Sequence, residues 1–181
     1  MRYRDYALTP GCTRTWLLVS MILSGITEAS GSSTPITHEF VPRKGASYLI
    51  DVSHGGADVE VTVSAPEFGS RSFNSPLSGD ELEHVLIENA SDGVHRVEVV
   101  TDKTAKTSYV PVISVTEING SGAELRAWRL MSNASEGNAS GDRDRQTLAI
   151  EQYLAAATLW QRTDNQRERA HTLYAAAMLN Y

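Results

Sequence analysis

The spacing of the apolar residues changes once along the chain, near Gly120, and this change limits the folds that are possible. Before that point apolar and polar residues alternate in short runs, as in β-strands that bury one face. After it, alanine-rich segments place apolar residues three or four positions apart, as in amphipathic helices. The sequence therefore predicts a segregated α+β fold, in which an antiparallel β-sandwich is followed by an antiparallel helical hairpin.

The alternating runs are predicted to form a sandwich over 36–119, because turn residues separate them and no helical segment lies between them. Pro111 lies inside the last run and indicates an edge strand or a bulge there. A hairpin turning at 91–93 would place His95 opposite Glu88. The candidate strands are 36–40, 48–52, 59–63, 82–89, 94–101 and 108–117.

The segment 120–181 is predicted to be helical. Ser121 and Glu124 have the spacing of a capping box that opens a first helix, and we expect this helix to end before Gly137. A second helix is expected over 142–162, after a polar loop. Its apolar face comprises Ala149, Tyr153, Ala156, Ala157 and Trp160.

A third helix is expected to begin at a second capping box, formed by Thr163 and Gln166. The short turn before it would make the last two helices an antiparallel hairpin. Small alanines allow close helix packing, and we expect Tyr153, Trp160 and Tyr174 to fill the gaps. One side of the third helix carries Ala170, Leu173, Tyr174, Ala177 and Tyr181. This pattern is typical of a stacking repeat, with a three-helix extension packed on the sandwich as the alternative.

The first 29 residues have the organisation of an export signal. Arginines precede an apolar run at 16–23, small residues follow it, and we expect cleavage after Ala29. The run is shorter than the roughly 20 residues that a membrane-spanning helix needs. Cleavage would remove Cys12, the only cysteine, and residues 30–35 would remain as a flexible leader. The chain is therefore expected to be exported to the periplasm or beyond the cell, with no membrane span after cleavage.

The net charge of −6 would repel phosphate backbones, and the basic residues do not cluster, so nucleic acid is not an expected partner. No set of residues has the spacing of a catalytic, cofactor-binding or metal site, so the chain is not expected to be an enzyme. The glycines that follow Ser53 and His54 indicate a turn and not a nucleophile elbow. The five histidines, at 38, 54, 84, 95 and 171, show no ligand-pair spacing.

Two further kinds of site have weaker sequence support. The acidic residues Asp51, Asp58, Asp80, Glu81 and Asp92 offer oxygen ligands for calcium but lack the spacing of an EF-hand. Aromatic residues in the sandwich segment would form a platform for glycan or peptide if exposed, although aromatics in alternating strands commonly lie in the core. These aromatics are Tyr48, Phe68, Phe73 and Tyr109.

Short stretches of the chain resemble known families. PRKG at 42–45, ADVEV at 57–61, NSP at 74–76, EHV at 83–85 and DGVHRVEV at 92–99 resemble the bacterial pre-peptidase C-terminal domain, a small β-sandwich. LAIEQYLAAATLW at 148–160, with TDN at 163–165 and AHTL at 170–173, resembles the first tetratricopeptide unit of exported CHAT-domain proteins. In that family a long repeat array and a caspase-like domain with a His and Cys dyad follow. No residue here matches those catalytic positions.

These observations lead to three hypotheses about function. The first is an exported, non-catalytic module that binds a protein partner, with self-association through the helical hairpin as one possibility. The second is the N-terminal part of a CHAT-type peptidase whose catalytic domain lies outside this sequence. The third is a secreted sandwich that binds carbohydrate or matrix through exposed aromatic side chains, Phe68 and Phe73 among them.

Overall fold

The computed structural model describes residues 35–54, 56–77, 81–101, 110–119 and 122–180. Within these ranges seven strands precede three helices, as the change of periodicity near Gly120 predicts. The strands are β1 (Ile36–Phe40), β2 (Ser47–Ser53), β3 (Val59–Ala65), β4 (Gly69–Phe73), β5 (Leu82–Ile87), β6 (His95–Thr101) and β7 (Ile113–Ile118). The helices are α1 (Gly122–Ala139), α2 (Arg143–Arg162) and α3 (Gln166–Leu179). The predicted signal segment, 1–29, lies outside the described residues.

The strands form two antiparallel sheets, with the orders β1-β6-β3-β4 and β5-β2-β7. The alternation seen in the sequence becomes the inner faces of these sheets, where valine and isoleucine side chains exclude water. Ile50 and Val52 of β2 are fully buried, as are Val61 and Val63 of β3 and Val97 of β6. The predicted segregated α+β fold is confirmed.

Three details of the sandwich differ from or refine the sequence predictions. Strand β4 was not predicted, because its sequence GSRSF holds a single apolar residue and shows no alternation. The predicted hairpin that pairs His95 with Glu88 is wrong, since β5 and β6 lie in different sheets and His95 pairs with Phe40 of β1. The last predicted strand, 108–117, is shorter than expected: β7 begins at Ile113, after Pro111, and among the described residues it lies at the edge of its sheet.

Helix α1 packs against β4 and β5, which are one edge strand from each sheet. The backbone N–H of Leu86 donates to Ser132 Oγ at 3.1 Å, and Asn138 Nδ2 donates to the carbonyl of Asn74 at 2.7 Å. An ion pair between Arg129 and Glu88 spans the same junction. Edge strands with unpaired backbone groups invite aggregation, so α1 protects one edge of each sheet.

The three helices form a second core beside the sandwich. The apolar face predicted for α2 is confirmed, because Ala149, Tyr153, Ala156, Ala157 and Trp160 are all buried. The helical core also includes Leu77 from the sandwich segment, and the ring of Trp128 contacts that of His84. The helical layer therefore packs on the sandwich, and α2 and α3 form a hairpin.

The ends of the helices differ from the predictions. Helix α1 continues through Gly137 to Ala139. Helix α3 is capped by Asn165, whose side chain accepts from the backbone N–H of Glu168, and not by the predicted Thr163. Tyr174 is 52% exposed and does not fill a gap between helices, because α3 buries its opposite face through Thr172, Ala175 and Ala176.

Gly137 lies inside α1 at the point where this helix packs closely against α2. A Cβ at this position would lie 3.1 Å from the backbone oxygen of Arg145 and 3.6 Å from the Cβ of Ala149, both on α2. The glycine therefore allows a close approach of two helices within a continuous helix.

We expect Gly137→Val to lower the free energy of unfolding by about 1–3 kcal/mol, because the added side chain would force α1 and α2 apart. Asn133→Val is the matched control, since Asn133 is exposed on the same helix and the change introduces the same β-branched residue. Urea unfolding followed by circular dichroism measures both. Equal losses in the two variants would show that α1 and α2 tolerate a larger side chain at their contact.

Candidate metal centre and outer helical face

A cluster of ionisable side chains lies where the sandwich meets α3. Its first member is His84 of β5. The register of β2 and β5 places Asp51 directly opposite His84, on the face of the sheet that points away from the sandwich core. Side chains opposite each other on antiparallel strands lie within contact distance. Asp51 Oδ1 is accordingly 2.8 Å from His84 Nδ1, and His84 is only 7% exposed.

Helix α3 supplies the other two members. Glu168 lies in its first turn, and His171 follows three positions later, so both side chains lie on the same face of the helix. Glu168 Oε2 is 3.9 Å from His84 Nε2 and 3.8 Å from His171 Nδ1. The rings of His84 and His171 meet edge to face, with their centroids 5.4 Å apart.

Two buried atoms of this cluster have no hydrogen-bond partner. They are Glu168 Oε2 and His171 Nε2. His171 Nε2 lies 3.2 Å from Glu81 Oε2, but these two atoms are not aligned for a hydrogen bond. Buried polar atoms are nearly always paired, so unpaired ones call for a specific explanation.

In this cluster, burial and the neighbouring charges shift the pKa values of His84 and Glu168 in opposite directions. Burial alone would lower the pKa of His84, but the hydrogen bond and charge of Asp51, with the charges of Glu168 and Glu83, raise that pKa above its ordinary value. Burial alone would raise the pKa of Glu168, but His171 and His84 hold that pKa below its ordinary value. The carboxylate of Glu168 is therefore charged near neutral pH although it lies mostly out of water.

The cluster borders a cavity of about 460 Å³. Leu82 and His84 of β5 line one side, and exposed residues of α3, Arg167 and Tyr174 among them, line the other. Glu81 also lines this cavity, and its Oε2 lies 3.2 Å from His171 Nε2. A small molecule or solvent therefore has access to the edge of the cluster.

Two imidazoles and a carboxylate are a donor set that suits divalent transition metals. The ligand atoms of His84, Glu168 and His171 all lie within 4.8 Å of one another. No metal ligands were predicted from the sequence, because no two histidines lie at ligand spacing within one element. In the structure the two histidines come from a strand and a helix. The Glu-x-x-His spacing of Glu168 and His171 was the one local signal of this site.

A second polar group is buried on the inner side of β5. Glu83 is fully buried and accepts from the backbone N–H of Ser75 at 2.7 Å and from the hydroxyl of Ser135 on α1. His54 is also fully buried, and its Nε2 lies 3.8 Å from Glu83 Oε2. Ser53, which precedes His54 in the sequence, accepts a hydrogen bond through its Oγ from the backbone N–H of Val112.

The acidic residues considered for calcium do not converge in the part of the chain that the structure describes. Asp51 binds His84, Asp92 lies 3.2 Å from Lys44, and Glu81 lies beside His171. Asp80 lies outside the described residues. Asp58 is exposed near the start of β3.

The candidate aromatic platform is mostly core. Tyr48 and Phe73 are 9% and 3% exposed and pack inside the sandwich. Phe68 is half-buried, with the guanidinium of Arg71 4.7 Å from the centre of its ring. Tyr109 lies outside the described residues. These rings therefore give the carbohydrate hypothesis no support.

A different apolar surface lies on α3, and we call it the outer face of α3. Its five residues recur three or four positions apart, and they are Ala170, Leu173, Tyr174, Ala177 and Met178. Leu173, Tyr174 and Met178 are 40%, 52% and 44% exposed. The opposite face of α3 packs on α2, so this outer face has no partner among the described residues.

No protein-family model matches the chain, and no curated protein matches it significantly. Among the described residues, no helix combines the length and the apolar character needed to cross a membrane. Two features of the described residues therefore bear on function: the cluster at the sandwich junction and the outer face of α3.

Proposed function

We propose that this chain is an exported, non-catalytic interaction module, in which the outer face of α3 binds an amphipathic helix of a protein partner. The observation that carries the proposal is the exposure of Leu173, Tyr174 and Met178 at helical spacing on one side of α3. An apolar stripe of this kind on a folded protein marks a surface that another element covers. A helix in such a contact would supply apolar residues at the same spacing.

The way the helices pack indicates what kind of partner fits. Helix α2 packs on α1, and α3 packs on α2, in both cases through alanines that allow close approach. The outer face of α3 repeats this composition, with Ala170 and Ala177 beside larger apolar residues. A fourth helix, contributed by the partner, would continue the same packing. The resemblance to a first tetratricopeptide unit agrees with this arrangement, since repeat units bury their faces against neighbours.

The positive charge of Arg167 indicates which residues the partner helix would carry. Arg167 is exposed in the first turn of α3 and lines the cavity next to Tyr174. A partner helix that carries an acidic residue one or two turns from its apolar stripe would pair with this arginine. We therefore propose an acidic amphipathic helix as the ligand, with export directed by residues 1–29.

A site-specific photocrosslink tests the binding site. A photoreactive phenylalanine analogue at Tyr174 is expected to form a covalent adduct with one protein in the native host. The same analogue at Val41, which is 71% exposed on the sandwich, is the control and is expected to form none. The crosslinked peptide of the partner should be helical, amphipathic and acidic. A crosslink to a second copy of this chain, or equal adducts at both positions, would contradict the proposal.

Binding of the identified partner should depend on the outer face. We expect Leu173→Glu to weaken the affinity by about tenfold to a hundredfold, because a charge would be buried in the contact. Leu148→Glu is the matched control, since Leu148 is 51% exposed at the start of α2 and not on this face. Isothermal titration calorimetry measures both. Unchanged affinity in Leu173→Glu would place the partner elsewhere.

Export is tested separately by cell fractionation and intact mass. The chain is expected outside the cytoplasm, with a mass reduced by that of residues 1–29. Retention in the cytoplasm at full mass would remove the export part of the proposal and leave the binding part standing.

A further inference from the structure

We propose that His84, Glu168 and His171 form a binding site for a divalent transition-metal ion, with Zn²⁺ as the closest fit. The site would join β5 of the sandwich to α3. None of its three residues belongs to the outer face of α3, although His84, Glu168 and His171 border the same cavity as Tyr174. The supporting observations are the donor chemistry, the distances, the orientation of both imidazoles and the unpaired buried atoms.

The distances are close to those of a bound ion. Around a tetrahedral Zn²⁺ with bonds of about 2.0–2.1 Å, neighbouring ligand atoms lie about 3.3 Å apart. Glu168 Oε2 is already 3.9 Å from His84 Nε2 and 3.8 Å from His171 Nδ1. All three ligand atoms lie within 4.8 Å of one another, so binding an ion would require the side chains to draw closer together.

Each imidazole has its own carboxylate on the nitrogen that faces away from Glu168. Asp51 Oδ1 holds His84 Nδ1 at 2.8 Å, and Glu81 Oε2 lies 3.2 Å from His171 Nε2. A carboxylate in this position fixes the tautomer of a metal-binding histidine and makes the free nitrogen more basic. The arrangement leaves His84 Nε2 and His171 Nδ1 as the metal-binding atoms.

The unpaired atoms also indicate a missing ligand. Glu168 Oε2 and His171 Nε2 are buried without a hydrogen-bond partner. A cation would coordinate the first atom directly.

The fourth coordination position faces the cavity of about 460 Å³. Three protein ligands with one open position, filled by water, are a common arrangement for Zn²⁺. Glu81 lies beside this position and is 45% exposed at its side chain, so it can reach a metal-bound water. Hard ions such as Mg²⁺ and Ca²⁺ prefer oxygen ligands, and the two imidazoles therefore disfavour them.

The test is a metal titration of the purified full chain after treatment with a chelator. Competition with a chromophoric zinc chelator is expected to show one Zn²⁺ per chain, with no binding of Mg²⁺ under the same conditions. Co²⁺ is expected to give the strong visible absorption of a tetrahedral site. The melting temperature should rise with added Zn²⁺, because the ion binds only the folded chain.

Three variants make the test specific to this site. His171→Gln and Glu168→Gln are each expected to weaken Zn²⁺ binding by about 100-fold or more, since loss of an outer-shell partner alone costs about 10–100-fold. Asp51→Asn changes only the hydrogen-bond partner of a ligand, so we expect it to weaken Zn²⁺ binding by about 10–100-fold. His38→Gln removes an imidazole on β1 and is expected to bind Zn²⁺ as the unaltered chain does. Circular dichroism confirms that each variant is folded.

Several results would overturn the proposal. They are no Zn²⁺ binding by the folded chain, equal affinity in His171→Gln and His38→Gln, or the weak absorption of six-coordinate Co²⁺. If His171→Gln does not fold, Glu168→Gln and the Co²⁺ spectrum of the unaltered chain decide the question. A failure of the photocrosslink at Tyr174 would leave this result unaffected.

Discussion

Trp160→Ala is expected to lower the free energy of unfolding of the helical layer by about 3–5 kcal/mol, as is typical for a buried tryptophan. Trp160 is 1% exposed and lies at the centre of the helical core. Its ring meets that of Trp128 edge to face, with centroids 4.8 Å apart, and its Nε1–H donates to the sulfur of Met131 at 3.2 Å. Truncation would leave a cavity between α1 and α2 that small alanines cannot fill.

The measurement is urea unfolding followed by circular dichroism at a wavelength that reports helix. Leu154→Ala is the matched control, because Leu154 lies on the same helix and is 48% exposed. We expect the control to lose less than about 1 kcal/mol, since little apolar area leaves the core. Similar losses in the two variants would mean that α1 and α2 do not pack through Trp160.

Glu83→Ala is expected to lower the free energy of unfolding by about 2–4 kcal/mol, because two buried donors would lose their acceptor at about 1–3 kcal/mol each. The donors are the backbone N–H of Ser75 and the hydroxyl of Ser135. Ser135 belongs to α1, so this carboxylate also fastens the helical layer to the sandwich. We expect Glu83→Gln to lose less, since its amide oxygen still accepts one of the two hydrogen bonds.

Glu60→Ala is the control for the loss of a strand carboxylate, because Glu60 is exposed on β3. Exposed substitutions of this kind usually change stability by no more than about 0.5 kcal/mol. Thermal and urea unfolding of the three variants are compared at one pH. If Glu83→Ala were as stable as Glu60→Ala, the buried carboxylate would have no role in joining α1 to the sandwich.

Much of the fold was predictable from local patterns. Alternating apolar and polar residues predicted six of the strands. In β3 this alternation correctly indicated which residues are buried. The period of helices gave α2 and its buried face. β4 was missed because a short edge strand with mostly polar residues carries no alternation. The end of α1 was misplaced because Gly137 serves a contact with α2, which local sequence does not reveal.

The sheet pairing was not predictable from the same patterns. A turn at 91–93 joins β5 and β6 in the sequence, yet the chain crosses there from one sheet to the other. A hairpin and a crossover between sheets have the same local turn residues. The partner of His95 was therefore decided by the pairing of β6 with β1 in one sheet, which placed Phe40 opposite it.

The candidate metal centre depended even more on tertiary structure. His84 and His171 lie on a strand and a helix that are far apart in the sequence, and spacing rules apply only within one element. By itself, the sequence determined which segments are strands and helices, because the period of apolar residues follows from backbone geometry. Only the tertiary structure brought Asp51, His84, Glu168 and His171 together, because that required the register of β2 with β5 and the docking of α3.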